Sequence, residues 1–178
     1  MADALTGLRL ALVVPFLVAC ATAPHGGVVA RLVPPVLFGI AAATDFLDGR
    51  IARRAGVVSA RGQVLDTVAD VLFVESAFVC FALWGRVPWL LPIAVGASVG
   101  AYAVASWRRA RAAQRLELAR SRIGHAAGVL NYALVGVLAA EPIVPWAAPA
   151  WLVGGAALGV AGANLLAVLG RLLSSRRC

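Results

Sequence analysis

Four of the eight acidic residues in this chain fall in one short stretch: Asp45, Asp48, Asp66 and Asp70. Asp45 and Asp48 are three apart, Asp66 and Asp70 four apart, and either spacing puts its pair on one face of a helix. If the connector between the pairs returns the chain, both reach the same edge of the structure. Four carboxylates held that close repel strongly in a low-dielectric site, so something positive must lie between them. Hard divalent ions with oxygen ligands, Mg²⁺ or Mn²⁺, suit this donor set, and no histidine or cysteine is nearby to recruit zinc. Two such ions would neutralise the four acids, hold a pyrophosphate and stabilise the charge that moves when it is cleaved.

The neighbours of the aspartates fit that chemistry. Gly49 and Ala52 share the Asp45/Asp48 face, and Gly62 stands one turn before Asp66. Small residues there let a ligand approach the backbone, or let helices pack closely; both readings stay open. Arg53, one turn beyond Gly49, can reach a phosphate.

The elements that position these residues belong in lipid. Of the 178 residues 62% are hydrophobic and only 13% charged, against about half and about a quarter in soluble domains. Mean hydropathy is +0.90. A single domain spanning residues 1–178 cannot hide that much apolar surface in a core of its own. Six apolar stretches run approximately over Leu8–Ala23, Val28–Thr44, Gly62–Trp84, Trp89–Trp107, Gly124–Ala140 and Trp146–Leu173. Pro24-His25-Gly26-Gly27, Gly85-Arg86-Val87-Pro88 and Glu141-Pro142 break the chain between them. Pro34-Pro35 is expected to kink the second helix near its start. The fold class is therefore all-α, a polytopic membrane protein with six transmembrane helices around a cytoplasm-facing polar cavity.

Every basic residue is arginine, and the net charge is +8. The arginines cluster between spans two and three, between spans four and five (108–122) and after span six, where Arg171, Arg176 and Arg177 lie. With Arg9 these fall on one side of a six-span topology, leaving Arg31 and Arg86 opposite. Positive-inside orientation then places both termini and the acidic cluster at the cytoplasmic face of the cell membrane. Charge grouped in this way meets lipid headgroups rather than nucleic acid. Trp84, Trp89, Trp107, Trp146 and Trp151 sit near span ends as interfacial anchors. Cys20, Cys80 and Cys178 match neither a disulfide framework nor a metal-ligand spacing. Leu17-Val18-Ala19-Cys20 resembles a lipoprotein signal, but cleavage there would leave an odd number of spans, so the run is expected to persist as span one.

The stretch Asp45-Phe46-Leu47-Asp48-Gly49-Arg50-Ile51-Ala52-Arg53, followed by Gly62, Asp66 and Asp70, resembles the signature of the CDP-alcohol phosphatidyltransferases. That signature, D-x2-D-G-x2-A-R-x8-G-x3-D-x3-D, is met at every fixed position. Leu5-Thr6 with Arg9 and Pro15 is similar to the family's N-terminal L-T-x2-R…P pattern. The resemblance implies six spans, a homodimer, and transfer of a phosphatidyl group from a CDP-activated lipid to an alcohol acceptor. It implies that Asp45, Asp48, Asp66 and Asp70 hold two divalent ions, with Asp70 also the catalytic general base. Gly49, Ala52, Arg53, Ser59 and Gly62 would hold the CDP moiety.

The acceptor is read from weaker signals. Six arginines between residues 108 and 122 suit a phosphorylated acceptor such as glycerol 3-phosphate, or serve as a solvated positive-inside loop. Ser121-Arg122-Ile123-Gly124-His125 resembles the S-x-x-G-K segment of phosphatidylglycerophosphate synthases, with His125 where lysine is usual. Asp66-Thr67-Val68-Ala69-Asp70-Val71 resembles the D-S-x-A-D-V of phosphatidylserine synthases, and inositol-phosphate-using relatives share the general motif. Asn131 is read as a helix-packing polar group. From other classes, a membrane prenyltransferase also combines acids, metal and a lipid pyrophosphate, but generally has more spans. A cation transporter could use intramembrane acids without needing Gly49, Ala52, Arg53 and Gly62 at set spacings.

Overall fold

The computed structural model describes residues 2–55, 60–113, 121–143 and 149–175, and within them the side chains of 7–44, 62, 64–111, 121–143 and 149–173. Each apolar stretch yields one helix: α1 (Ala2–Thr22), α2 (Val28–Ala55), α3 (Ala60–Leu83), α4 (Leu90–Ala113), α5 (Arg122–Ala140) and α6 (Ala150–Ser175). Single 3₁₀ turns follow α1 at Ala23–His25 and α5 at Glu141–Ile143. No strand occurs among the described residues.

Four of these helices are long and apolar enough to cross a membrane: Gly7–His25, Leu90–Arg111, Arg122–Ile143 and Ala150–Leu173. The other two fall short for identifiable reasons. The apolar part of α2, Val28–Thr44, is shorter and is followed by Asp45 and Asp48. The apolar run of α3 is interrupted by Asp66, Asp70 and Glu75. The six expected spans thus become six helices of which four qualify by composition, and the two exceptions are the pair bearing the acidic signature.

Burial is inverted in the way a lipid environment requires. Along α6 the buried positions are mostly small (Val153, Ala157, Val160, Ala161, Asn164, Ala167), while Leu158, Leu165, Leu166, Leu169, Leu172 and Leu173 face outward. Small inward faces let helices approach closely, and large apolar side chains turned outward suit hydrocarbon. Trp84, Trp89, Trp107 and Trp151 are all exposed; Trp146 lies outside the described residues.

The chain forms two compact units. The first comprises residues 1–77 and 135–148. In it α1 packs on α2, and α2 also meets the turn Glu141–Ile143. Helix α2 continues through Pro34-Pro35, which the sequence marked as a kink; Pro34 is buried and the helix is not interrupted. Phe16 of α1 lies against Phe73 of α3, ring centroids 4.9 Å apart, and Phe38 of α2 approaches the same ring at 6.5 Å. Three aromatic rings from three helices make the apolar centre of this unit.

The second unit comprises residues 78–134 and 149–178, and its most extensive packing joins α4 to α6. It begins with the end of α3, which stops in a Schellman motif: Arg86 N–H bonds Phe81 O at 2.9 Å and Gly85 N–H bonds Ala82 O at 3.0 Å. Gly85 has φ 70°, a conformation open to glycine and costly for other residues. Contrary to the sequence-based expectation, Arg171 does not follow the last span; it lies within α6, four residues before the helix ends.

Candidate active site

The first turns of α3 carry two of the four aspartates, and the helix presents them together. Asp66 and Asp70 are one turn apart beside the fully buried Ala69 and Phe73. From α1, Arg9 reaches them both. Its Nη1 donates to Asp66 Oδ1 at 2.8 Å and to Asp70 Oδ1 at 2.6 Å. The arginine side chain is 0% exposed, whereas those of Asp66 and Asp70 keep 42% and 29% of their surface. A buried guanidinium needs this pairing, because an ion stripped of solvent is tolerated only where partners replace its hydration.

The register behind this contact is set by both helices. Phe16 is seven residues after Arg9, and Phe73 is seven after Asp66. Two turns along α1 and α3, which must therefore run in the same direction, the ionic contact gives way to the tilted phenylalanine pair. Arg9 was expected to be a charge that orients the membrane topology. The structure makes it part of the acidic site. The sequence held a hint: an arginine inside an apolar run calls for a polar partner at the same depth, and α3 offers two acids.

The other sequence-predicted residues are placed less completely. Asp45, Asp48, Gly49, Ala52 and Arg53 lie on the last turns of α2, which remains helical to Ala55. Helical spacing puts Asp45, Asp48, Gly49 and Ala52 along one face, but their side chains lie outside the described residues, as does Ser59. Gly62 is in the first turn of α3, one turn before Asp66. The structure thus brings Asp66 and Asp70 together and adds Arg9. Among the described residues no group of three or more metal-ligating side chains forms. The donors that are described suit a hard cation: two carboxylate oxygens from successive turns already converge on one nitrogen of a guanidinium cation.

The second unit holds a different polar centre. Ser121 caps α5, its Oγ accepting from Gly124 N–H at 3.0 Å while its carbonyl accepts from His125 N–H at 3.0 Å. Arg171 of α6 lies over that first turn. A side chain at Gly124 would collide with its Nη2, so the S-x-x-G spacing provides both a helix cap and the gap that admits the guanidinium. Arg171 Nη1 donates to Ser98 O at 2.9 Å and Ser98 Oγ at 3.2 Å, and the guanidinium lies 5.4 Å from the Tyr102 ring centre. Arg171 therefore ties α4, α5 and α6 together, a role its sequence position did not suggest.

Seven residues inward on both helices, Asn131 and Asn164 exchange amide hydrogen bonds at 2.8 and 3.4 Å. Asn164 also donates to Val160 O at 2.9 Å. The expected packing role of Asn131 has this concrete form. His125, Arg108 and Arg109 are exposed, and Arg111 lies 4.6 Å from the Trp107 ring centre; Arg115 and Arg120 fall outside the described residues.

Comparison with known proteins agrees with the motif. A family profile described as CDP-alcohol phosphatidyltransferase matches residues 1–162, which include parts of both units. A probable phosphatidylglycerophosphate synthase of Mycobacterium tuberculosis is 33% identical over 95 residues, 53% of this chain and 46% of that protein. A CDP-diacylglycerol–glycerol-3-phosphate 3-phosphatidyltransferase of Treponema pallidum is 36% identical over 100 residues, 51% of this chain and 46% of that one. One of the same description from Bacillus subtilis is 35% identical over 68 residues, covering 38% and 35%. The matched segments thus span about half the length of the first two relatives or less.

Proposed function

The chain belongs to the CDP-alcohol phosphatidyltransferase family, and from that premise we propose that it transfers a phosphatidyl group from CDP-diacylglycerol to glycerol 3-phosphate, releasing CMP. The observation that carries this reading is the convergence of Asp66 and Asp70 on a single guanidinium nitrogen. It gives the second half of the acidic signature a shared focus, as a diphosphate-cleaving site needs. The relatives named for glycerol 3-phosphate favour that acceptor.

In this scheme Asp45, Asp48, Asp66 and Asp70 hold two divalent ions, Mg²⁺ or Mn²⁺, and Gly49, Ala52, Arg53, Ser59 and Gly62 hold the CDP moiety. The bound metal would neutralise the diphosphate and stabilise its leaving charge. Asp70 takes the proton of the acceptor hydroxyl, whose oxygen forms a bond to the lipid-side phosphorus. The diphosphate P–O bond breaks and its electron pair leaves with CMP, whose phosphate Arg53 holds.

We further read residues 1–178 as one catalytic domain, with six spans, both termini and the active site at the cytoplasmic face of the cell membrane, acting as a homodimer. Purified protein given CDP-diacylglycerol and, separately, glycerol 3-phosphate, serine, inositol phosphate and inositol tests the reaction. CMP release with glycerol 3-phosphate and a phosphorylated lipid product is expected. Release only with serine or an inositol would replace the acceptor, and no CMP with any of them would defeat the proposal.

A further inference from the structure

The Arg9 contact has a steric consequence for any ion at the same place. One nitrogen stands 2.8 Å from Asp66 Oδ1 and 2.6 Å from Asp70 Oδ1. A divalent ion ligated by those two oxygens would lie about 2.0–2.1 Å from each. Ion and nitrogen cannot both occupy the space between the same two atoms. The guanidinium is also fully buried, so water screens its attraction to the carboxylates weakly and its repulsion of a second cation equally weakly.

We propose that Arg9 is a built-in counter-ion for Asp66 and Asp70, holding the pair together when no metal is bound and competing with metal for the same oxygens. Arg9 is a positioning residue here, acting through the carboxylates. The inference rests on the reading that these aspartates are metal ligands. It explains how two like charges can stay one turn apart before an ion arrives: the chain supplies a cation of its own. It also explains why an arginine is kept within an apolar run, where a charge is tolerated when a partner completes it. Phe16 and Phe73, two turns along, keep α1 and α3 in register while the ionic contact exchanges.

Competition and support predict opposite effects of removing Arg9 on two measurable quantities. Full-length protein in detergent is titrated with Mn²⁺, free ion being followed by electron paramagnetic resonance, and melted with and without the ion. Arg9→Gln is expected to bind Mn²⁺ at least tenfold more tightly than wild type. Its metal-free melting temperature should fall, and Mn²⁺ should raise it by more than in wild type. Arg9→Lys keeps the charge without the planar fork, so it remains folded and gives intermediate affinity. If Mn²⁺ binds Arg9→Gln and Arg9→Lys no more tightly than wild type, the competition is overturned while the metal reading stands. If wild type binds no Mn²⁺ that Asp66→Asn abolishes, the metal reading itself fails, and this inference with it.

Discussion

Each of the two units builds its polar centre around an arginine inside a helix, and the two arginines are satisfied by different chemistry. Arg9 in the first unit meets two carboxylates. Arg171 in the second meets a backbone carbonyl, a hydroxyl and a phenol ring. The framework around them is alike: in each unit a second contact lies seven residues along both helices, Phe16 on Phe73 in one and Asn131 on Asn164 in the other. An ionic lock backed by aromatic rings suits a place where charge must be exchanged. A neutral lock backed by paired amides suits a place where a guanidinium fastens helices together. The contact in the first unit then depends on charge, and that in the second on geometry.

The largest effect should come from removing one charge in the first unit. Asp70→Asn keeps the side chain's size and loses the proton acceptor. Transfer should fall by about 10²–10⁴-fold, the usual contribution of a positioned base, while CDP-lipid binding persists. Turnover and nucleotide binding measured on the same preparation check this, and wild-type turnover would remove Asp70 from the chemistry.

Arg9→Leu separates stability from function in the same unit. Breaking a buried ion pair from one side costs about 3–5 kcal/mol, and the lower end applies because Asp66 and Asp70 remain partly exposed. Neutralising all three groups together (Arg9→Leu, Asp66→Asn, Asp70→Asn) should recover most of that stability with no activity. Melting both variants against wild type tests whether the ionic lock is dispensable for folding once its charges are gone together.

Much of this was legible in the sequence because it depended on spacing. Six apolar runs gave six helices, and the aspartate intervals put Asp66 and Asp70 on one helical face. What escaped was partnership across helices. Arg9 and Arg171 were grouped with the topogenic arginines because charge counting treats every arginine near a span end alike, and nothing local distinguishes a solvated guanidinium from one that a neighbouring helix completes. The span count was obscured from the other side: the acids that make the site also lower the apolarity of α3. Gly124 was visible as part of a motif, but its steric reason appeared only when Arg171 was found above it.

Gly124→Ala probes the second unit by geometry alone. The added methyl meets the end of Arg171 and the capping Ser121 Oγ rather than backbone, so side chains must shift but the helices need not. A displaced guanidinium, however, strains its bonds to Ser98. A loss of about 1.5 kcal/mol is expected, the worth of one hydrogen bond to a charged group, and melting the variant against wild type checks it. An unchanged melting temperature would show that Arg171 moves aside without cost and would blur the contrast between the units.

The smallest effect is expected at the amide pair, and its form is the more telling for that. Asn131→Leu leaves Asn164 buried with its reciprocal partner gone, although its bond to Val160 O remains. A cost of about 1 kcal/mol follows, since hydrogen bonds between membrane helices average near 0.6 and an unsatisfied buried amide adds to that. Replacing both residues by leucine removes the unsatisfied group and should bring stability back toward wild type. Packing two leucines where two amides met would nevertheless loosen the register that carries Gly124 beneath Arg171, seven residues away on each helix. Adding Gly124→Ala to the double variant should therefore cost less stability than it does in wild type. An undiminished cost would mean that Ser98 and Tyr102 suffice to hold Arg171 in place, and that the amide pair holds the helices together without setting where they stop.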